Sequence, residues 1–187
     1  MLISQFQAVG GDLCVRGLVS SYSGNLSIKL GERLFITHRN SMLGHLAEQD
    51  LVETGVKRND RSTPLASTEL AVHRCVYKHT CASAVVHAHP AYAVALSFSE
   101  REIVPCDVEG NLLLARVPVL GWGMTVKPGE LAEEIAEALK ENKIVLVRGH
   151  GSFAAGQLLE EAYHYTTTLE ESCRLLYLLK ALRVDLR

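Results

Sequence analysis

The sequence lacks any apolar segment that approaches the roughly 18 residues needed to cross a bilayer. Its first residues also lack a basic stretch leading into an apolar one, which is the pattern of a secretory signal. The formal net charge is only −2 over 187 residues, so no excess of positive charge attracts nucleic acid or an anionic membrane. These absences predict a protein without a nucleic-acid or membrane partner.

Cysteine is scarce, and its spacing suggests no pairing. The five cysteines form an odd set without a CxxC pair, so a disulfide framework is not expected. None is spaced to share a metal ion with the histidines. Reduced, structural thiols fit this pattern better, and they predict a cytoplasmic protein.

The remaining composition is that of one globular domain covering residues 1–187, with 48% hydrophobic and 21% charged residues and no repeats. Apolar periodicity, turn residues and capping residues predict alternating helices and strands, including a hairpin at Gly31. Because a hairpin and interspersed helices occur together, a layered α/β sandwich is favoured over an all-parallel sheet. Helices are predicted at 2–17, 67–78, 128–139 and 158–182, and strands at 26–30, 33–37, 51–54, 84–89, 103–105, 117–120 and 144–147.

Two histidines lie on one predicted strand, which Pro90 ends. Side chains on a strand alternate between its faces, so His87 and His89 project from the same side. Two neighbouring imidazoles provide half of a tetrahedral metal site, and His150 and Glu69 are candidates to complete it. The alternative is that both histidines are simply hydrogen-bonded near a sheet edge.

Four separated motifs follow one another along nearly the whole chain: Gly24-Asn25-Leu26-Ser27, Ser67-Thr68-Glu69, His87-Ala88-His89-Pro90 and Arg148-Gly149-His150-Gly151. In their order and spacing they resemble the class II aldolase/adducin family. The resemblance implies a three-layer α/β/α sandwich with a mixed, mostly antiparallel central sheet. It also implies a homotetramer with active sites at subunit boundaries.

The resemblance also implies the roles of individual residues. His87, His89 and His150 match the family's ligands for zinc, for which manganese or cobalt are alternatives. Glu69 matches the catalytic carboxylate, which also ligates the metal when substrate is absent. Ser67 or Thr68 is expected to cap a helix with Glu69 in its first turn, where the helix dipole stabilises the anion.

Six residues match the family's phosphate-binding segments. Gly24 and Asn25 offer a close backbone approach and an amide, and Ser67 and Thr68 offer hydroxyl groups at a helix start. The third segment has Arg39 and Asn40 where the family usually has a glycine, and asparagine tolerates the left-handed backbone that glycine would adopt. Arg39 is either a phosphate contact or a solvated loop residue.

The sequence departs from the family in two places. Residues 104–110 contain no tyrosine to act as the proton donor, which leaves Asp107 or Glu109 as acids if burial raises their pKa, or as turn residues. The chain also stops at Arg187, soon after the long helix, so the aldehyde is expected to be recognised differently.

The predicted function is a metal-dependent aldolase, a lyase that makes or breaks a C–C bond in a phosphorylated ketose through an enediolate. The products of cleavage are dihydroxyacetone phosphate and an aldehyde. A 4-epimerase, a dehydratase or a decarboxylase of sugar phosphates on the same scaffold is the alternative. A non-catalytic module like the adducin head is a further one, disfavoured because all three histidines and Glu69 are present. His73 shares a helix face with Glu69, but no motif gives it a role.

Overall fold

The computed structural model of the chain describes residues 2–122 and 128–183. Six α-helices and eight β-strands make up the regular structure of these residues. The helices are α1 (Leu2–Val15), α2 (Leu70–His79), α3 (Ala91–Leu96), α4 (Val108–Leu114), α5 (Ala132–Ala138) and α6 (Leu159–Ala181). The strands are β1 (Asn25–Leu30), β2 (Arg33–Thr37), β3 (Leu51–Gly55), β4 (Ala84–Ala88), β5 (Glu102–Ile103), β6 (Val117–Leu120), β7 (Ile144–Val147) and β8 (Gly151–Gly156).

All eight strands form one sheet in the order β3-β2-β1-β4-β8-β7-β6-β5. Every neighbouring pair is antiparallel except β6 and β7, which run parallel. The predicted mixed, mostly antiparallel sheet is therefore confirmed. Strand β4, which carries His87, lies inside the sheet between β1 and β8, so the alternative of a histidine pair near a sheet edge is wrong.

Two hydrophobic cores, one on each face, make the molecule a three-layer sandwich. On β4, the side chains of Ala84, Val86 and Ala88 enter the core shared with α1, α3, α4 and α6. Val85 enters the opposite core, shared with α2 and α5. This alternation is the period-two pattern of a strand buried on both faces, which is why β4 reads as almost continuously apolar.

The hairpin and the first helix agree with their predictions. Strands β1 and β2 pair from Ser27 with Ile36 to Leu30 with Arg33. Gly31 in the turn has φ +63°, a conformation that favours glycine. Helix α1 ends at Val15, and Gly17 with φ +69° turns the chain away from it.

Several elements differ from the sequence-based prediction. The strand predicted at 103–105 is only Glu102–Ile103, because Pro105 cannot extend the ladder. The helix predicted from residue 128 begins as a 3₁₀ turn, Pro128–Leu131, and becomes α-helical in α5. Helices α3 and α4 and strand β8 were not predicted.

All five cysteines are free. Within residues 2–122 and 128–183, no helix combines the length and the apolar character required to span a bilayer.

Candidate active site

The three histidines converge at one end of the central strands. His87 is the fourth residue of β4, and His89 follows directly after the strand, where its backbone N–H donates to the carbonyl of Leu18. His150 lies in the turn between β7 and β8, which Gly149 makes possible with φ +67°. Each side chain offers one ring nitrogen, and these three nitrogens lie within 4.8 Å of one another.

The orientation of the His87 ring is fixed by contacts with strand β8. Its Nδ1 lies 2.9 Å from the carbonyl oxygen of Ser152, which can only accept, so Nδ1 carries the hydrogen. The ring also stacks on Phe153, with centroids 4.2 Å apart. These contacts leave an unprotonated Nε2 facing the other histidines, which is the usual arrangement of a metal-ligating histidine and its outer partner.

Glu69 occupies a different place on its helix from the one predicted. It is the residue that precedes the first turn of α2, and neither Ser67 nor Thr68 caps that helix. The reason is local: Ser67 accepts the N–H of Glu69 on its hydroxyl and the N–H of Leu70 on its carbonyl. The resulting turn points the Glu69 carboxylate away from the helix N–H groups and toward the histidines.

Glu69 is kept ionised by the side chains of His87, His150 and Asn25. The prediction had assigned this effect to the first turn of a helix. Oε1 of Glu69 lies 3.0 Å from Nε2 of His150, and its Oε2 lies 3.1 Å from Nε2 of His87 and 2.7 Å from Nδ2 of Asn25. Burial acts to raise the pKa of Glu69, but these three partners outweigh it and lower the pKa to about 2. The carboxylate is therefore an anion at neutral pH.

The donor set fits a divalent cation. Burial lowers the pKa of His87, and burial together with the neighbouring histidines lowers that of His89 to about 3, so both rings are neutral. Nε2 of His87 then faces Oε2 of Glu69 at 3.1 Å as one acceptor facing another, and Nε2 of His89 lies 2.9 Å from Nε2 of His87. A cation between these atoms would remove the repulsion of the facing lone pairs, and three imidazoles with an open position suit zinc.

A second group of potential metal ligands is less suited to binding an ion. Cys75 and His79 lie one turn apart on α2 near Glu133 of α5. The side chain of Glu133 is 71% exposed, and burial raises the pKa of the Cys75 thiol to about 11. A thiol that resists ionisation is a poor metal ligand, so the histidine group is the metal centre of choice.

The predicted site residues come together around one cavity of about 220 Å³. All ten line it: Gly24, Asn25, Arg39, Asn40, Ser67, Thr68, Glu69, His87, His89 and His150. Sequence reasoning missed four further lining residues, Tyr22, Ser23, His38 and Ser41. Each of the four lies one or two positions from a predicted residue in the sequence. Extending the predicted motifs by that distance would therefore have found them.

The loops opposite the histidines have the backbone expected of an anion pocket. Asn40 has φ +66°, so asparagine does adopt the left-handed conformation expected in place of glycine. Gly24 has φ +79°, and a Cβ there would lie 2.8 Å from the carbonyl oxygen of His87. Arg39 is exposed, whereas Ser67 is buried at the cavity wall.

The side chain of Asn25 faces Glu69 as well as the cavity. Besides donating to Oε2, it places Oδ1 2.5 Å from Nε2 of His73. His73 is fully buried and does not line the cavity. No short motif signals this contact, because the fold brings Asn25 and His73 together across 48 residues of sequence.

The residues proposed to replace the missing tyrosine are not prepared as acids in this chain. Asp107 caps α4, where its Oδ1 accepts the N–H of Gly110 at 2.7 Å. Burial acts to raise the pKa of Asp107, but Ser172 and the backbone N–H groups outweigh it and lower the pKa. A pKa raised by burial, which was the condition for Asp107 to act as an acid, is therefore not found. Glu109 is exposed in the first turn of the same helix.

Fold and site together define an α/β protein in which three histidines that could hold a metal ion line a polar cavity. The family model of the Class II Aldolase and Adducin N-terminal domain matches residues 4–177. The chain belongs to this family of class II aldolases and adducins.

Named relatives carry two activities. The chain is 28% identical over 170 residues to an L-fuculose phosphate aldolase of Methanococcus maripaludis, covering 90% of this chain and 92% of that protein. It is 30% identical over 174 residues to a 3-oxo-tetronate 4-phosphate decarboxylase of Escherichia coli, covering 88% and 80%. The crystal structure of L-fuculose-1-phosphate aldolase from Thermus thermophilus matches with a TM-score of 0.90 and 40% identity, covering 96% and 94%.

Proposed function

We propose that the protein is a zinc-dependent aldolase that makes or breaks a C–C bond in a phosphorylated ketose, with dihydroxyacetone phosphate as one product of cleavage. The observation that carries this proposal is the cavity in which an ionised Glu69 and three histidines face an anion pocket. At about 220 Å³, the cavity suits a small polar substrate, since pockets for drug-sized ligands begin at about 300 Å³.

Each group in the cavity has a role in this reaction. His87, His89 and His150 hold the ion, with zinc preferred and manganese or cobalt as substitutes. A divalent ion bound there supplies Lewis-acid stabilisation of the negative charge that develops on the substrate oxygens. Glu69 accepts the proton that leaves the substrate on its carboxylate oxygen and returns it in the reverse direction.

The phosphate is held at the opposite wall. Gly24 allows close approach of the backbone, and Ser67 and Thr68 present hydroxyl and N–H groups before α2. Asn40 and Arg39 complete the pocket from the loop after β2. A phosphate fixed there keeps the reacting carbon within reach of Glu69, which supplies the orientation that proton transfer requires.

Decarboxylation of a 3-oxo acid phosphate is the second candidate function. The relative from Escherichia coli, at 30% identity, favours it. In both reactions a C–C bond breaks and its electron pair is left beside the carbonyl group, so the same cavity suits both. The role of Glu69 differs: in decarboxylation carbon dioxide is the leaving group, and Glu69 passes a proton taken from water to the carbon that keeps the electron pair, which leaves hydroxide to be neutralised by the solvent.

Hydrogen exchange tests the aldolase proposal without knowledge of the aldehyde. The zinc-loaded protein should exchange a hydrogen of dihydroxyacetone phosphate with deuterated water, as followed by NMR. Glu69→Gln should abolish the exchange while elemental analysis still finds zinc, because all three histidines remain. Full zinc without exchange, together with release of carbon dioxide from 3-oxo-tetronate 4-phosphate, would establish the second candidate instead.

We also propose a homotetramer in the cytoplasm. Helices α4 and α6 pack together, and both carry outward apolar side chains. Val108 and Leu112 on α4 are 75% and 81% exposed, and Leu178 on α6 is 44% exposed. Val108 and Leu112 lie four residues apart and so on one face of α4, and exposed apolar side chains of this kind favour contact with another subunit.

A further inference from the structure

A chain of hydrogen bonds runs from Glu69 through the sheet into the core. Its four links span 2.5 to 2.7 Å, and the Asn25, Ser27, His73 and Tyr77 side chains are at most 6% exposed. The links are Glu69 Oε2 with Asn25 Nδ2, Asn25 Oδ1 with His73 Nε2, His73 Nδ1 with Ser27 Oγ, and Ser27 Oγ with the Tyr77 hydroxyl.

The direction of the first two links follows from the Asn25 amide, whose Nδ2 can only donate and whose Oδ1 can only accept. Nδ2 faces Glu69, and Oδ1 faces His73. His73 therefore donates from Nε2. Burial lowers the pKa of His73 to about 3, so its ring is neutral and Nδ1 is an acceptor.

The third link continues the same order. Because Nδ1 of His73 accepts, the hydroxyl of Ser27 donates to it at 2.6 Å. The Tyr77 hydroxyl lies 2.6 Å from Ser27 Oγ and 3.0 Å from the Ser27 carbonyl, and its single hydrogen can be donated to either oxygen. From Ser27 to Glu69, every hydrogen in the chain points toward the carboxylate.

We propose, on the basis of the function above, that His73 is the positioning residue for Glu69. Its Nε2–H fixes the Asn25 amide with the NH₂ group toward the carboxylate. Without that donor, Asn25 can turn and present Oδ1 to Glu69, and the two acceptors repel. Glu69 then loses one of the contacts that aim it into the cavity, although nothing in the metal centre has changed.

The tautomer of His73 provides a test that requires neither metal nor activity. Nitrogen-15 NMR of metal-free wild-type protein with labelled histidine should show His73 protonated at Nε2 and His87 protonated at Nδ1. The second assignment follows from the bond of His87 to the Ser152 carbonyl. A His73 protonated at Nδ1 would reverse the chain and overturn the proposal.

Substitutions at His73 then separate positioning from packing. His73→Phe should lower the maximal rate of hydrogen exchange by about 10- to 100-fold, the usual effect of losing an outer-shell partner. The KM for dihydroxyacetone phosphate should change less than the rate, since Asn25 is the one predicted phosphate-binding residue that His73 contacts. His73→Gln should recover most of the rate, because its amide donates to Asn25 and its carbonyl accepts from Ser27.

A matched control lies at the far end of the chain. Tyr77→Phe removes only the last hydroxyl and should leave the rate near that of the wild type. If His73→Phe and His73→Gln lose rate equally, or His73→Phe loses none, the positioning role is refuted while the Glu69 result stands. If Glu69→Gln itself keeps full exchange, the proposed function fails, and the NMR result still decides the direction of the chain.

Discussion

Replacing Gly151 with alanine should damage the proposed metal centre although no ligand is replaced. Gly151 begins β8 beside β4, and a Cβ there would lie 2.4 Å from the Ala88 carbonyl oxygen. The same Cβ would lie 2.9 Å from Cδ2 of His89 and 3.1 Å from Cε1 of His87. Real Cβ atoms stay beyond about 3.0 Å, so the strand ends must separate by about 0.6 Å or more.

The size of the effect follows from which atoms must move. Ala88 lies between the two histidines of the His-Ala-His motif, and its backbone oxygen cannot yield alone, because β4 and β8 are paired there. Overpacking of this kind costs about 1–3 kcal/mol of folding free energy. A displaced ligand set should weaken zinc binding by about 10- to 100-fold, or about 1.4–2.8 kcal/mol.

Gly156→Ala is the matched control, with the same substitution at the other end of the same strand. Its Cβ would meet chiefly Oε2 of Glu161 at 2.9 Å, the end of a flexible side chain, and the Ala162 nitrogen at 3.2 Å. Zinc affinity is measured by competition with a chromophoric chelator, and stability by urea unfolding of the metal-free proteins. Wild-type zinc affinity in Gly151→Ala, or an equal loss in both variants, would refute the reasoning.

Three further predictions concern acid stability, capping and assembly. Metal-free wild-type protein should lose stability as the pH falls from about 6.5, because the unfolded state binds a proton that buried His73, with a pKa of about 3, does not. The free energy of unfolding of His73→Gln, measured in urea, should depend less steeply on pH than that of the wild type, by up to about 1.4 kcal/mol per pH unit. An equal dependence on pH in both proteins would contradict this. Asp107→Asn keeps an acceptor for the Gly110 N–H and should stay active, whereas Asp107→Ala should lose about 1 kcal/mol in thermal unfolding. Inactive but folded Asp107→Asn would restore an acid role for that residue. Leu112→Glu should give smaller particles by light scattering with unchanged circular dichroism, and an unaltered assembly would exclude this face as the interface.

Local pattern was sufficient for much of the fold. The alternation in β1, the apolar β-branched residues of β4 and the spacing of Phe6, Val9 and Leu13 in α1 are properties of neighbouring residues. Strand β8 has no such signal, since its sequence Gly-Ser-Phe-Ala-Ala-Gly contains no β-branched residue. Its conformation depends on pairing with β4 and β7 on either side.

The candidate site, like the fold, was predictable from the sequence only in part. The side shared by His87 and His89 follows from strand geometry, and the motif resemblance supplied Glu69 and His150. The place of Glu69 before α2 depends on the turn at Ser67, and the contact of Asn25 with His73 depends on the packing of α2 against β1. Neither the turn nor the packing is encoded by periodicity and capping preferences.

The central place of β4 has a consequence for how the protein acquires its metal. Contacts at the site join residues 44, 65 and 81 positions apart in sequence. No short segment of the chain can therefore assemble the centre by itself, and long-range pairings of this kind form late and slowly. Since ligands brought together by folding couple metal affinity to the native state, tight capture of the ion should coincide with completion of the sheet. The time course of metal uptake would then follow the last step of folding.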